Sequence, residues 1–321
     1  MTNIKPLTPD SIDEAVQYWR DGHLVAFGTE TVYGLGADAC QPLAVSKIFA
    51  TKNRPQFNPL ISHVADPETA FALGNVTPLA QTLADAFWPG AMTLVLNQCE
   101  DRTIADLVTA GLDSVALRVP EHTGARQLLA AAAVPIAAPS ANPSGRLSPT
   151  TADHVAMAFA DQDEPKLILD MEASAKGLES TVIDARGDIP VLLRPGSITA
   201  EMIAELTGHA PKAPEDRILS PGQLASHYAP NARIRCHADA PQTGEAWLGF
   251  GNDPDLSEAL EACNLSPQAD LNEAAANLFS MLRVLDQSGA ASIAVAAIPH
   301  HGLGVAINDR LSRAAAPRPS S

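Results

Sequence analysis

Short apolar stretches alternate with segments of helical period along the first two-thirds of the chain, and this constrains the fold more than any other feature. "HLVAFGT", "PLISHV", "MTLVLN", "SVALRVP", "VPIAAPS", "KLILD", "STVIDA" and "VLLRP" read as strands. Between and around them, "LAVSKIFATK", "PLAQTLADAFW", "GARQLLAAAA", "TADHVAMAFA" and "AEMIAELTG" read as helices, and Ile12, Ala15, Val16 and Trp19 set a first helix before Gly22. Each strand has an apolar face to bury, and the intervening helices supply the cover, so the class is α/β. "STVIDA" and "VLLRP", joined by "RGDIP", form a hairpin, which makes the sheet mixed. The expectation for residues 1–208 is a twisted mixed sheet with flanking helices.

Residues 209–231, "HAPKAPEDRILSPGQLASHYAPN", hold four prolines and no apolar period, as a linker does. Beyond it, over 232–321, "ARIRCHA", "AWLGFG" and "SIAVAAIP" read as strands. Residues 271–286 and "GVAINDRLSRAAA" read as helices, giving a smaller C-terminal α/β domain.

Composition narrows the function classes. The chain is 46% apolar and 18% charged, as a packed globular protein requires. Its formal charge is -16, and neither half carries a basic excess, so bulk charge does not favour tight binding to a long nucleic acid. Cys40, Cys99, Cys236 and Cys263 form no CxxC pair, which suits reduced thiols better than a disulfide framework or a zinc site. The start of the chain lacks an apolar signal core, and no run approaches the roughly 20 apolar residues of a membrane span. The expectation is a soluble, cytoplasmic protein with no protein-held metal.

Four stretches can carry chemistry. "TKNRPQFNPLISHV" sets Lys52 and Arg54 two residues apart with no carboxylate nearby in sequence. Alone, these are charges complementing a helix dipole; beside two prolines and Asn58 they also read as an anion site. "GTETVYGLGADA" follows a strand, and its glycines suit either an ordinary turn or close approach of backbone to a ligand, with Thr31 presenting a hydroxyl. "APSANPSGRLSPT" is rich in small polar residues ahead of a helix, a setting for phosphate or for a plain capped loop. Arg118 and Arg194 each close an apolar strand, and a guanidinium fork suits carboxylate and phosphate. No GxxxxGK[ST] loop or GxGxxG fingerprint occurs at these turns. His300 and His301 lack metal-ligand partners in sequence.

Taken in order, "TETVYGLG", "KNRP" with "NPL", "PSANPSG", "ESTVID" and "LRPGSIT" resemble the motifs of the threonylcarbamoyl-AMP synthase (YrdC-like) family. The likeness covers residues 10 to about 207, and "HYAP" and "GLGVAINDRLSRAA" extend it to the long, two-domain form. The resemblance implies a nucleotidyltransferase that makes threonylcarbamoyl-AMP and pyrophosphate from L-threonine, bicarbonate and ATP with Mg2+. Other proteins would use the adenylate to modify tRNA. By similarity Lys52 and Arg54 are catalytic, and Thr31, His63, Arg118, Ala138 and Ser180 hold threonine. Arg54, Asn58, Ser114, Ser140, Asn142, Ser148, Arg194 and Tyr228 hold ATP. Two positions depart from the pattern: Gly28 stands where the family has proline, and "GQLAS" replaces a more basic, aromatic stretch before Tyr228. Two rivals come from other classes: a double-stranded RNA or tRNA-binding module without turnover, and a regulatory protein that binds threonine or nucleotide.

Overall fold

The computed structural model describes residues 3–101, 103–214 and 227–317. It divides into two compact units. The first takes the described residues up to Ser144, then Pro149–Ser174, then Glu179 up to residue 214; the second takes Gly145–Ser148, Ala175–Leu178 and residues 227–317. Most of the expected linker lies outside the described residues. The second unit thus draws two short pieces, 145–148 and 175–178, from within the expected first domain.

In chain order the first unit holds β1 (Ile4–Pro6), α1 (Pro9–Arg20), β2 (Val25–Phe27), β3 (Gly34–Asp38), α2 (Pro42–Lys52), β4 (Ile61–His63), α3 (Pro67–Phe71) and β5 (Gly74–Asn75). It continues with α4 (Pro78–Phe87), β6 (Met92–Gln98), α5 (Asp106–Thr109), β7 (Ser114–Arg118), α6 (Thr123–Ala132) and β8 (Ile136–Ala137). Then follow α7 (Ala152–Ala158), β9 (Leu167–Asp170), β10 (Thr181–Asp184), β11 (Val191–Arg194) and α8 (Ala200–Thr207). The strands join in one sheet of order β1-β9-β2-β3-β8-β4-β7-β6-β10-β11, with β5 against β6. β10 runs parallel to β6 and antiparallel to β11, so the hairpin and the mixed sheet are both present.

Helices start and stop where local chemistry dictates. Thr8, Thr77, Thr151 and Thr199 each cap a helix by accepting a backbone N–H. Asn53 ends α2 in the left-handed region at φ 49°, turning the chain straight after Lys52.

Strand alternation gives the sheet two different faces. Leu94, Leu96, Val115, Leu117 and Ile183 join the main core with α2, α4 and α8. Val25, Phe27, Leu167 and Leu169 join a second core with α1 and α6. Ile61, Val95, Ala116, Val182 and Leu193 form a separate small cluster on the face opposite the main core. That cluster is the floor on which the polar residues described below are arrayed.

"GLGAD" is a strand, β3, and this corrects the reading of the stretch as an ordinary turn. A Cβ at Gly36 would lie 2.9 Å from both Ile136 Cγ2 and Phe27 Cε1, and one at Gly28 2.9 Å from Met171 Cβ. These glycines answer to packing.

The second unit holds β12 (Arg233–Arg235), β13 (Ala246–Gly249), β14 (Ala262–Asn264), α9 (Leu271–Gln287), β15 (Ser292–Val295) and α10 (Leu303–Ala315). Its four strands are all parallel, in the order β12-β15-β13-β14. Among the described residues no helix is long and apolar enough to cross a membrane.

Candidate functional site

Strand register builds the site. His63 pairs with Arg118 across β4 and β7, and with Ile136 across β4 and β8. Leu94 pairs with Leu117 and Val182 with Thr93, so Thr93, Arg118 and Ser180 come to the same end of the floor. There the Oγ atoms of Thr93 and Ser180 lie 2.7 Å apart, and Arg194 donates through Nη2 to Ser180 Oγ and through Nε to the Ser180 carbonyl, both at 3.0 Å. The expected residues Thr31, His63, Arg118, Ser180 and Arg194 are therefore neighbours or one residue removed, although 163 positions separate the first from the last in sequence.

Arg118 is buried and held on three sides. Its Nε donates to the Gly90 carbonyl (3.3 Å), its Nη1 to Thr31 Oγ1 (2.8 Å) and its Nη2 to Glu30 Oε1 (2.5 Å). A guanidinium has five N–H groups, so two remain, the number a bidentate carboxylate requires. The Thr31 hydroxyl continues the chain to Thr29 Oγ1 (2.8 Å), and Thr29 to the Val32 carbonyl (2.7 Å). Thr31 is thus fixed in orientation.

Glu30, unremarked in the sequence, is the buried partner of Arg118. Burial pushes its carboxyl up, but the Arg118 charge and hydrogen bond, with backbone N–H groups, outweigh that and hold it below the ordinary carboxylate value. His63 is driven down to about 3, first by burial and then by the Arg118 charge, so its imidazole is neutral at physiological pH. Its ring stands edge-on to Phe27, and Nδ1 has no hydrogen-bond partner.

Lys52 and the 140s loop make the second half of the site. The Lys52 ammonium, 1% exposed, donates to the backbone carbonyls of Ser140 and Asn142, and its own carbonyl accepts from Ser144 N–H at 2.7 Å. Burial, followed by the Arg54 charge, holds its pKa well below the usual lysine value, with Glu179 pulling the other way. The loop is pinned alongside β3 as well: Leu35 N–H donates to the Pro139 carbonyl and Ala141 N–H to that of Tyr33, both at 2.8 Å. Ala138 donates its N–H to the Ile61 carbonyl at 3.0 Å. Arg54 folds back on its own loop, reaching the carbonyls of Asn58 (3.3 Å) and Pro59 (2.9 Å). Asn58 is fully buried, and both polar atoms of its side chain lack a hydrogen-bond partner, which leaves an acceptor and a donor for a ligand.

Ser114 begins the strand that Arg118 ends, about 13 Å away at roughly 3.3 Å per residue and on the same face. It lines a cleft of about 550 Å³ with Asp113, Asp184, Arg186, Leu193 and Lys212. Leu193 belongs to both the apolar floor and this cleft, so the two are continuous.

Ser148 and Tyr228 belong to the second unit. Tyr228 packs there between His227, at 4.1 Å between ring centroids, and Phe279, at 5.6 Å, with the Arg310 guanidinium 5.1 Å from its ring. Among the described residues no group of three His, Cys, Asp or Glu is placed to hold a metal, and His300 and His301 are exposed.

Sequence reasoning passed over Glu30, Thr93 and Glu179. The signal for Glu30 was its position between Thr29 and Thr31, and a buried arginine needs a counter-charge. For Thr93 no sequence signal existed, since its contact comes from sheet register.

The Sua5–YciO–YrdC family, described as telomere recombination, matches residues 17–196, and the threonylcarbamoyl-AMP synthase C-terminal domain matches 198–316. A threonylcarbamoyl-AMP synthase of Bacillus subtilis is 40% identical over 96% of this chain and 93% of its own length. One from Pyrococcus abyssi is 39% identical over 94% of this chain and 92% of its own. A crystal structure of P. abyssi Sua5 complexed with L-threonine matches with a TM-score of 0.87 at 37% identity, covering 98% of this chain and 97% of that one.

Proposed function

The chain belongs to the Sua5–YciO–YrdC family, and from that premise we propose that it condenses L-threonine, bicarbonate and ATP to threonylcarbamoyl-AMP and pyrophosphate. It is thereby a nucleotidyltransferase of the cytoplasm, and its product supplies proteins that place the threonylcarbamoyl group on tRNA adenosine. The observation that supports this most directly is the meeting of Arg118, Thr31 and Ser180 with Arg194 at one end of the floor. An amino-acid carboxylate and a nucleotide tail need such neighbouring cations.

In this reading Arg118 takes the threonine carboxylate on its two remaining N–H groups. Thr31, neutral His63, the Ala138 backbone and Ser180 surround the rest of the amino acid. Arg54, Asn58, Ser140, Asn142 and Arg194 face the triphosphate, and Ser114 lies where an extended nucleotide running along the floor ends. The threonine amine adds to bicarbonate with loss of water, giving a carbamate. A carbamate oxygen then bonds to the α-phosphorus as the bond from that phosphorus to the bridging β-oxygen breaks, and pyrophosphate leaves.

The carbamate, the triphosphate and the departing pyrophosphate are all anionic. Two unit charges 4 Å apart repel by roughly 4 kcal/mol at an effective dielectric of 20, so the cations of the site must offset several such terms. Mg2+ would be carried by the triphosphate and would neutralise its oxygens there, as such ions are commonly held by phosphates and water. Lys52, whose ammonium is committed to two carbonyls, sets the shape of the 140–142 backbone that faces the phosphates.

The test is mass spectrometry of the product formed from ATP, threonine and labelled bicarbonate. A label in the adenylate, with pyrophosphate release that needs both threonine and bicarbonate, is expected. Release indifferent to threonine ends the proposal. An RNA-binding reading predicts instead a steep salt dependence of RNA affinity, which the net acidity does not favour.

A further inference from the structure

We propose that Glu30 is the positioning residue for amino-acid recognition: it holds the Arg118 guanidinium in the orientation in which a substrate carboxylate meets the two unused N–H groups. The inference deepens the reading of Arg118 as carboxylate holder and rests on it. Glu30 is 6% exposed and Arg118 4%, so neither charge is balanced by solvent. The two carboxylate oxygens divide their work. Oε1 accepts from Arg118 Nη2 at 2.5 Å, while Oε2 accepts the backbone N–H groups of Glu121 at 3.1 Å and His122 at 3.4 Å. Those amides lie just before α6, a few residues after the strand end that carries Arg118. One side chain therefore ties the loop after β2 to the guanidinium and to the backbone beyond it.

The remaining contacts cannot replace it. Thr31 and the Gly90 carbonyl are neutral acceptors, so among the described residues Glu30 is the charged hydrogen-bond partner of this buried cation. A second carboxylate approaching the guanidinium is repelled by Glu30, but across the width of a delocalised cation. Loss of the acceptor acts at contact distance, and we therefore expect orientation to outweigh repulsion.

Glu30→Gln tests this because glutamine keeps the size and offers one acceptor oxygen where three donors converge. Whichever way the amide turns, its NH2 faces either Arg118 or two backbone N–H groups. Binding of L-threonine and of L-threoninol, which lacks the carboxylate, is measured by calorimetry on wild-type protein and on the variant. Wild type should prefer threonine strongly. In Glu30→Gln threonine affinity should fall about tenfold or more, the span of a hydrogen bond to a charged group. Threoninol and ATP affinities should stay within about twofold. No preference in wild type would strike the reading of Arg118 itself; a preference undiminished in the variant would overturn the role of Glu30 alone. An equal fall for threonine, threoninol and ATP would also overturn it, since that is the mark of general damage. Should Glu30→Gln not fold, Glu30→Asp, which keeps the charge but stands one methylene back, carries the same expectation. Failure of both to fold would make Glu30 a scaffold residue and defeat the proposal.

Discussion

Replacing Arg118 by leucine should reverse the sign of the protein's acid response. In the wild type Glu30 has a carboxyl held below its unfolded value, so the pair contributes stability that is fully present above the unfolded glutamate pKa of roughly 4.3 and is lost as pH falls through the folded value. Arg118→Leu removes the charge and the hydrogen bond that lower this pKa, and leaves burial, which raises it. Breaking a buried pair by removing one partner costs about 3–5 kcal/mol. With burial left as the main influence, the Glu30 carboxyl should move above its unfolded value, toward neutrality. Folded variant then binds a proton at a pH where the unfolded chain does not, so its stability should rise as pH falls from 7 toward 5. Wild type should show no such gain from this pair. The assay is thermal unfolding across that range, where the loss at pH 7 should appear as a fall of about 10 °C in Tm for a unit of this size. A variant that loses less than 1 kcal/mol, or whose stability falls on acidification in parallel with wild type, would refute the argument that Glu30 and Arg118 are a dry, mutually dependent pair. The same variant should raise KM for threonine more than KM for ATP; the reverse pattern would move Arg118 to the nucleotide.

Lys52→Met should lower adenylate formation by about 10²-fold or more while changing stability little, because the two hydrogen bonds lost at the Ser140 and Asn142 carbonyls offset the relief from burying an ammonium. Melting curves and pyrophosphate release measured together check this, and a large stability loss with turnover per folded molecule intact would make Lys52 a scaffold residue only. His63, held at about 3, should contribute no inflection to the rate between pH 5 and 8, so a kinetic pKa near 6.5 that vanishes in His63→Gln would contradict its neutral state. Arg194→Lys gives up the fork on Ser180 and should raise KM for ATP more than KM for threonine; steady-state kinetics with each substrate varied decides it.

The hairpin of β10 and β11 and the helices α1, α4, α7 and α8 were legible because their signals are local: an apolar run, a tight connection, a helical period. β3 was not, since Gly34 and Gly36 imitate a turn until Phe27, Trp19 and Ile136 are seen to fill the space a side chain would need. The pieces 145–148 and 175–178 of the second unit were equally hidden, because nothing in their composition marks them as belonging with a segment some fifty to eighty residues away.

The site divides along the same line. Lys52, Arg118 and Arg194 stood out as cations closing helices or strands, and the structure places all three in the buried interior of the first unit. What the sequence concealed is which partner each cation already has. Lys52 spends its protons on the backbone of the 140s loop, Arg194 on Ser180, and Arg118 shares its own among Gly90, Thr31 and Glu30. Counting charges in the sequence therefore overstates how many are left to neutralise a ligand. Arg118 keeps two N–H groups beyond these three contacts, and on the proposal above its counter-ion fixes where they point.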